Sequence, residues 1–220
     1  MTESIRQYAR ILNTVERSRV AVANRLRSLP PTDQEALAGV VDALKDEESF
    51  VASLLVNAVN DSPYAEFVAR HRGIGAKQLG RFVGAIGSDI HWNPIRDRPR
   101  SLRELWAYCG LHTQDGVAVV PAERGRANWS SEAKIRVVRM AIQVLKRGQP
   151  GDYYRDIYYF RRTETSRRLH QAPCASCGVG QGKPWSPRHQ HFDALRITAK
   201  EIARGVWIES RKANGLPVSE

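Results

Sequence analysis

Apolar residues in the first 60 positions recur at steps of three and four, which is the spacing of one face of an amphipathic helix. Pro30 and Pro31 interrupt this pattern, and Thr32 to Glu35 has the form of a capping box that starts a second helix. We therefore predict an N-terminal helical hairpin whose spacing also suits self-association through a coiled-coil seam. The apolar positions are Ile5, Tyr8, Leu12, Val15, Val22, Leu26 and Leu29 before the prolines, and Leu37, Val40, Val41, Leu44, Val51, Leu54 and Leu55 after them.

Helix start and stop signals divide the rest of the chain. A boundary is predicted at Asn60–Pro63 and a helix from Ala76 to about Ile86. Asp115-Gly116 followed by Val117, Val119 and Val120 predicts a short β-hairpin. Serine caps predict three further helices, which start after Ser101, after Ser130 or Ser131, and after Ser186.

The predicted fold class is mainly α, in three segments. Residues 1–60 form the helical hairpin, residues 61–165 a helix-hairpin-helix core with the short β-hairpin, and residues 166–220 a small Cys/His zinc knuckle followed by a C-terminal helix.

Charge narrows the function classes. Lys and Arg total 34 against 23 Asp and Glu, for a net charge of +11 and a pI near 10.0. Arginine supplies most of the cations, and its planar guanidinium matches phosphate oxygens. We therefore expect a polyanion partner, DNA first and RNA second. There is no apolar run of membrane-spanning length and no signal-peptide pattern, so we expect a cytoplasmic protein with no membrane partner.

A candidate metal site lies near the C-terminus. Cys174 and Cys177 are separated by two residues, and His189 and His191 follow. Two thiolates and two imidazoles form a common tetrahedral zinc set, and four protein ligands make such a site structural. Because residues two apart on a helix point in nearly opposite directions, His170 is the substitute if His189 and His191 cannot both coordinate.

Two basic clusters are candidates for phosphate contact. Gly73-Ile-Gly75 separates two short helices, and glycines at such a turn let backbone N–H groups point at a phosphate near a helix N-terminus; an ordinary helix–helix turn is the alternative. The residues assigned to this cluster are Arg70, Arg72, Gly73, Gly75, Lys77 and Arg81. The second cluster consists of Arg124, Arg126, Lys134 and Arg136.

Three short motifs occur one after another along the chain: Gly73-Ile-Gly75, Ala85-Ile86-Gly87 and the stretch from Leu105 to Leu111 (LWAYCGL). Over roughly residues 60 to 160 the chain resembles the C-terminal domain of the bridge-RNA-guided DEDD transposases of bacterial insertion sequences. The Cys/His tail resembles an addition found in compact relatives carried by phages or mobile elements. The resemblance implies a helix-hairpin-helix that binds DNA or RNA.

The departures from this family bear on catalysis. Nothing before Asp61 resembles the acidic RuvC-like domain of the family, and Asp115 stands where the family has its nucleophilic serine. We therefore expect a nucleic-acid-binding, transposase-like protein without autonomous activity. One alternative is a catalytic subunit of a serine-dependent transposase or recombinase that uses Ser130 or Ser131, with acidic residues from a partner chain. A second is a helical scaffold that self-associates through its N-terminal helices.

Overall fold

A computed structural model describes residues 2–87, 89–114, 117–119, 128–174 and 177–218. This part of the chain is mainly helical, as predicted, and contains two short antiparallel hairpins. The helices are α1 (Thr2–Leu26), α2 (Pro31–Asn60), α3 (Ala65–Arg70), α4 (Ala76–Ile86), α5 (Leu102–Tyr108), α6 (Ser131–Arg147), α7 (Tyr153–Thr165) and α8 (Pro187–Ala213), and the strands are β1 (Trp92–Asn93), β2 (Arg98–Pro99), β3 (Thr113–Gln114) and β4 (Val117–Ala118).

The predicted helical hairpin consists of α1 and α2. The second helix begins at Pro31 with Pro30 as its N-cap and no side-chain cap, so the capping box predicted at Thr32 to Glu35 is wrong. A proline at the first helical position has a suitable φ and needs no N–H partner, so the helix starts one residue before Thr32. No residue from 13 to 50 is buried. We call this part of the hairpin the N-terminal arm.

The core lies where the base of the arm meets the remaining helices. It contains Ile5 and Leu12 of α1, Leu55 of α2, Phe82 of α4 and Trp207 of α8, and residues of all three predicted segments contribute to it. The last helix, α8, contacts α3, α5, α6 and α7, while α4 lies against α1, α2 and α6. The C-terminal helix is therefore central to the fold.

Two local signals within residues 61–165 predicted elements correctly. Ser101 is the N-cap of α5, as predicted, and forms a capping box with Glu104. Strands β3 and β4 pair through Thr113↔Ala118, as the hairpin prediction requires. The turn at Asp115-Gly116 lies outside the described residues. A second hairpin, with Trp92↔Pro99, lies between α4 and α5, where no strand was predicted.

Candidate metal centre and basic surfaces

The Cys/His segment folds back on itself between α7 and α8. The backbone N–H of His170 donates to Lys183 O at 2.9 Å, and the N–H of Gly182 donates to His170 O at 2.8 Å. The Gly178 N–H donates to Cys174 O at 2.8 Å, and Gly178 has φ 69°, a value that glycine adopts without strain. These bonds bring the two ends of the segment together.

Four side chains converge in this fold: His170, Cys174, Cys177 and His189. Their ligand atoms all lie within 4.8 Å of one another. The Cys177 Sγ is 3.3 Å from His170 Nε2 and 3.6 Å from His189 Nδ1, and the Cys174 Sγ is 3.5 Å from His189 Nδ1. The cluster could therefore hold one metal ion.

The structure replaces one predicted ligand. His191 lies outside the cluster, and its Nδ1 is 2.6 Å from the hydroxyl of Tyr158. Both His189 and His191 belong to α8, where residues two apart differ by about 200° in direction. Only His189 can face the cysteines, and His170, the substitute named from the sequence, supplies the fourth ligand atom.

The surroundings of His189 favour coordination. Ser186 caps α8 by accepting a hydrogen bond from the His189 N–H at 3.1 Å, which fixes this residue in the first helical turn. Trp185 stacks on its imidazole with ring centroids 4.1 Å apart. Burial, with a smaller effect from His170, lowers the pKa of His189. The neutral imidazole, which is the form that binds metals, is thereby favoured.

The glycines of the 73–75 turn have different roles. Gly73 has φ 90°, and a Cβ on it would lie 2.7 Å from Val144 Cα, so a side chain there would collide with α6. Gly75 is the N-cap of α4, and a Cβ on it would meet no neighbouring atom within 4 Å. Close helix–helix packing therefore accounts for Gly73.

Cations near this turn are mostly engaged with carboxylates. Arg70 forms an ion pair with Glu209 at 2.8 Å, and Lys77 lies 3.9 Å from Glu48. Arg72 is exposed.

Arg81 contradicts its predicted role. It is 3% exposed and bonds to Asn13 and Glu16 of α1. A buried, paired guanidinium cannot reach a phosphate, so Arg81 joins α4 to α1 instead.

The second predicted cluster is only partly described. Arg124 and Arg126 lie outside the described residues. Lys134 is half-buried with its ammonium 4.9 Å from the centre of the Trp129 ring. Arg136 is buried and donates to Asn13 at 2.9 Å, so its assignment as a phosphate contact is also wrong. Here too the arginine joins helices, because Arg136 belongs to α6 and Asn13 to α1.

The candidate nucleophiles Ser130 and Ser131 occupy ordinary positions at the start of a helix. Ser130 is the N-cap of α6 and accepts a hydrogen bond from Ala133 N at 3.1 Å, which is the usual capping role. Ser131 is exposed at the start of the same helix, and Asp115 lies outside the described residues. The remaining thiol, Cys109, is fully buried, and burial raises its pKa to about 12.

A basic surface around the Cys/His cluster was not assigned from the sequence. Arg167, Arg168, Lys183 and Arg188 flank the ligands and are all exposed. No Asp or Glu occurs between Glu164 and Asp193. We call the segment between these two residues the basic knuckle. Its signal was available in the sequence as a long carboxylate-free run.

Comparison of the chain with protein-family models, curated proteins and solved structures found no match. Among the described residues, no helix combines the length and apolar character needed to cross a membrane.

Proposed function

We propose that this protein binds nucleic acid through the basic knuckle. The observation that carries the proposal is the exposure of Arg167, Arg168, Lys183 and Arg188 around one Cys/His cluster, in a segment without carboxylates. Cations that have no acidic neighbours along the chain are available to phosphates, and binding of phosphates releases counterions. DNA is the first candidate partner because of the transposase-like motif order, and RNA is the second.

We infer that the cluster holds zinc. Zinc takes sulfur at about 2.3 Å and nitrogen at about 2.05 Å, so a tetrahedral site separates a sulfur from a nitrogen ligand by about 3.6 Å. Three of the four sulfur–nitrogen pairs between Cys174 or Cys177 and His170 or His189 are separated by 3.3 to 3.6 Å. Four protein ligands leave no open position for a substrate, which favours a structural role. The ion would hold the knuckle rigid and its cations in register.

The 73–75 turn has a smaller part in this proposal than the sequence suggested. Arg70 and Lys77 have carboxylates near them, and Arg81 is buried. Arg72 remains exposed near the start of α4. Within the helix-hairpin-helix, Arg72 is the best placed of the four cations assigned to the turn to contact a phosphate.

The experiment is a salt series of binding to labelled single-stranded DNA, duplex DNA and RNA. The test variant is Arg167→Glu/Lys183→Glu, and the matched control is Arg10→Glu/Arg103→Glu, which changes the net charge equally at exposed positions away from the knuckle. Losing two phosphate contacts should reduce the slope of log K against log salt by about 2 on duplex DNA and about 1.4 on single strands. Affinity should fall at least tenfold more than in the control. Equal losses in both variants, or no binding by the wild-type protein at low salt, would contradict the proposal.

A second function, self-association, is favoured by the N-terminal arm. No residue from 13 to 50 is buried, although Val20, Leu37 and Val40 are among the apolar side chains there. Two helices without a buried face are marginal alone, and packing against another copy would bury these residues. The α1 part of the arm is mainly basic and the α2 part mainly acidic. Within one chain Arg19 already pairs with Glu48 at 2.7 Å, and a second arm packed with its α1 against α2 would add further pairs of opposite charge. The basic residues are Arg17, Arg19 and Arg25, with Arg27 in the turn after α1, and the acidic residues are Asp33, Glu35, Asp42, Asp46, Glu47 and Glu48.

Light scattering tests this second function. We expect a dimer of the wild-type chain and a monomer for Leu37→Glu/Val40→Glu, because both side chains are exposed in the single chain and their replacement should not unfold it. A wild-type monomer at micromolar concentration would refute self-association and leave nucleic-acid binding unaffected.

A further inference from the structure

Two clefts lie on different sides of α7 and differ in charge. One has a volume of about 450 Å³, and its described lining residues include no carboxylate: Tyr158, Tyr159, Arg162, Thr163, Ser166 and Gln190. The other, of about 500 Å³, is lined by Asp156, Glu164 and Arg161 among others, and Arg161 pairs with Glu164 at 3.2 Å. We call them the tyrosine cleft and the acidic cleft. A polyanion is attracted to the first and repelled by the carboxylates of the second.

A chain of hydrogen bonds fixes one wall of the tyrosine cleft. The Arg162 Nη1 donates to the Tyr158 hydroxyl at 3.1 Å, and that hydroxyl is 2.6 Å from His191 Nδ1. Tyr158 is only 5% exposed, so its ring is held in place by packing. Arg162 therefore presents its remaining N–H groups in a defined orientation, and His191 supports this arrangement instead of binding metal.

Tyr159 provides an open aromatic surface beside this arginine. It is 48% exposed, and the guanidinium of Arg155 lies 4.5 Å from the centre of its ring. Stacking of an arginine on one side keeps the ring oriented and adds positive potential nearby. Half-exposed aromatic rings with arginine neighbours are the usual stacking platforms for bases of single strands.

Three uncharged side chains of the cleft, Gln190, Thr163 and Ser166, are left mainly with acceptor capacity. The Gln190 amide nitrogen donates to Trp185 O at 2.9 Å, which leaves its oxygen free to accept. The Thr163 and Ser166 hydroxyls donate to the backbone oxygens of Tyr159 and Thr163, at 3.1 and 2.7 Å. Acceptors beside an aromatic platform suit the exocyclic amino group of adenine, cytosine or guanine.

We propose that the tyrosine cleft binds one unpaired nucleobase of a single-stranded nucleic acid. The base stacks on Tyr159, its amino group faces the acceptors of Gln190 and Thr163, and Arg162 binds the adjoining phosphate. The volume lies within the range of small-molecule sites, and a base held in a duplex cannot enter. This inference rests on the proposed nucleic-acid binding by the adjacent basic knuckle, and adds to it a preference for single strands.

The test uses the full, zinc-quantified chain with a 12-nucleotide DNA strand containing 2-aminopurine, whose fluorescence is quenched by stacking. Tyr159→Ala should weaken binding to the strand roughly 5- to 150-fold, the range expected for loss of one base–aromatic stack, and should abolish the quenching. Tyr159→Phe keeps the ring and should restore both. Phe160→Ala is the matched control, because Phe160 is 68% exposed and lines the acidic cleft; affinity within about twofold of wild type is expected there.

The outcomes separate this inference from the proposed function. If the strand binds but Tyr159→Ala and Phe160→Ala have equal affinities, or if duplex and single strand bind equally well without quenching, the base site is overturned while binding by the knuckle stands. If the wild-type chain binds no nucleic acid at low salt, the proposed function fails and the base site fails with it. Loss of single-strand affinity in Tyr159→Ala with duplex affinity retained supports both.

Discussion

His170→Ala is expected to weaken zinc binding far more than His191→Ala, although both substitutions remove an imidazole from the same segment. The His170 Nε2 lies 3.3 Å from Cys177 Sγ, inside the cluster, whereas His191 Nδ1 lies 2.6 Å from the Tyr158 hydroxyl. The two variants remove the same chemical group, so each is the control for the other.

The magnitude follows from the number of ligands. Structural zinc sites contribute about 10–16 kcal/mol of binding free energy at pH 7, or roughly 2.5–4 kcal/mol for each of four ligands if they share it equally. Since a factor of ten in affinity corresponds to about 1.4 kcal/mol, His170→Ala should raise the zinc Kd roughly 60- to 700-fold. His191→Ala leaves all four ligand atoms in place, and its zinc Kd should stay within about threefold of wild type.

The assay is competition for zinc against a chromophoric chelator, with the metal content of dialysed protein measured by mass spectrometry. Limited trypsin digestion gives a second readout. Without zinc, cleavage after the exposed Arg168 should accelerate, because the backbone bonds of His170 lose the metal that holds the two ends of the segment together. The reasoning is refuted if His170→Ala retains a full equivalent of tightly bound zinc, or if His191→Ala loses it.

Three further predictions concern the remainder of the molecule. Gly73→Ala should lower the free energy of unfolding by roughly 2–4 kcal/mol and the Tm by several degrees, because of left-handed backbone strain and the clash with α6. In the same thermal scans, Gly75→Ala should change the free energy of unfolding by less than about 0.5 kcal/mol. Arg81→Ala should lower the free energy of unfolding in urea by about 2–4 kcal/mol, because it removes a nearly buried guanidinium from Glu16. The nucleic-acid affinity of the folded variant should be unchanged. A selective loss of affinity would instead support the predicted phosphate contact. Burial alone would raise the pKa of Asp193, but hydrogen bonds from arginines of α7 and α8 outweigh this effect and hold its pKa below the usual value. Asp193 therefore stabilises the fold above about pH 4, and this contribution is lost as the pH falls through the lower pKa of the folded state. Asp193→Asn should flatten this part of an acid-unfolding profile.

Local signals carried most of the secondary structure. The serine at position 101 with Glu104 three residues later, and Ser186 followed by Pro187, specify helix starts through hydrogen bonds within one turn, so the boundaries of α5 and α8 were predictable. The wrong prediction of a capping box at Thr32 also concerned neighbouring residues, because Pro31 is the stronger signal for the start of a helix.

Site assignments were predictable only where the ligands are close in sequence. Cys174 and Cys177 were identified from their spacing alone, because two thiols in one turn can share a metal. The choice between His170 and His191 as a ligand could not be made from spacing, because it depends on how α8 is rotated against the knuckle.

By itself, then, the sequence determined the helical class, most helix starts, the cysteine half of the candidate metal site and an excess of positive charge, because each of these is a property of composition or of neighbouring residues. Tertiary structure decided which cations are available. Arg81 and Arg136, on helices distant in sequence from α1, are buried and both donate to Asn13, whereas Arg167 and Lys183 remain exposed around the cluster. Net charge is a property of the sequence, but a phosphate can contact only those cations that lie at the surface of the folded protein.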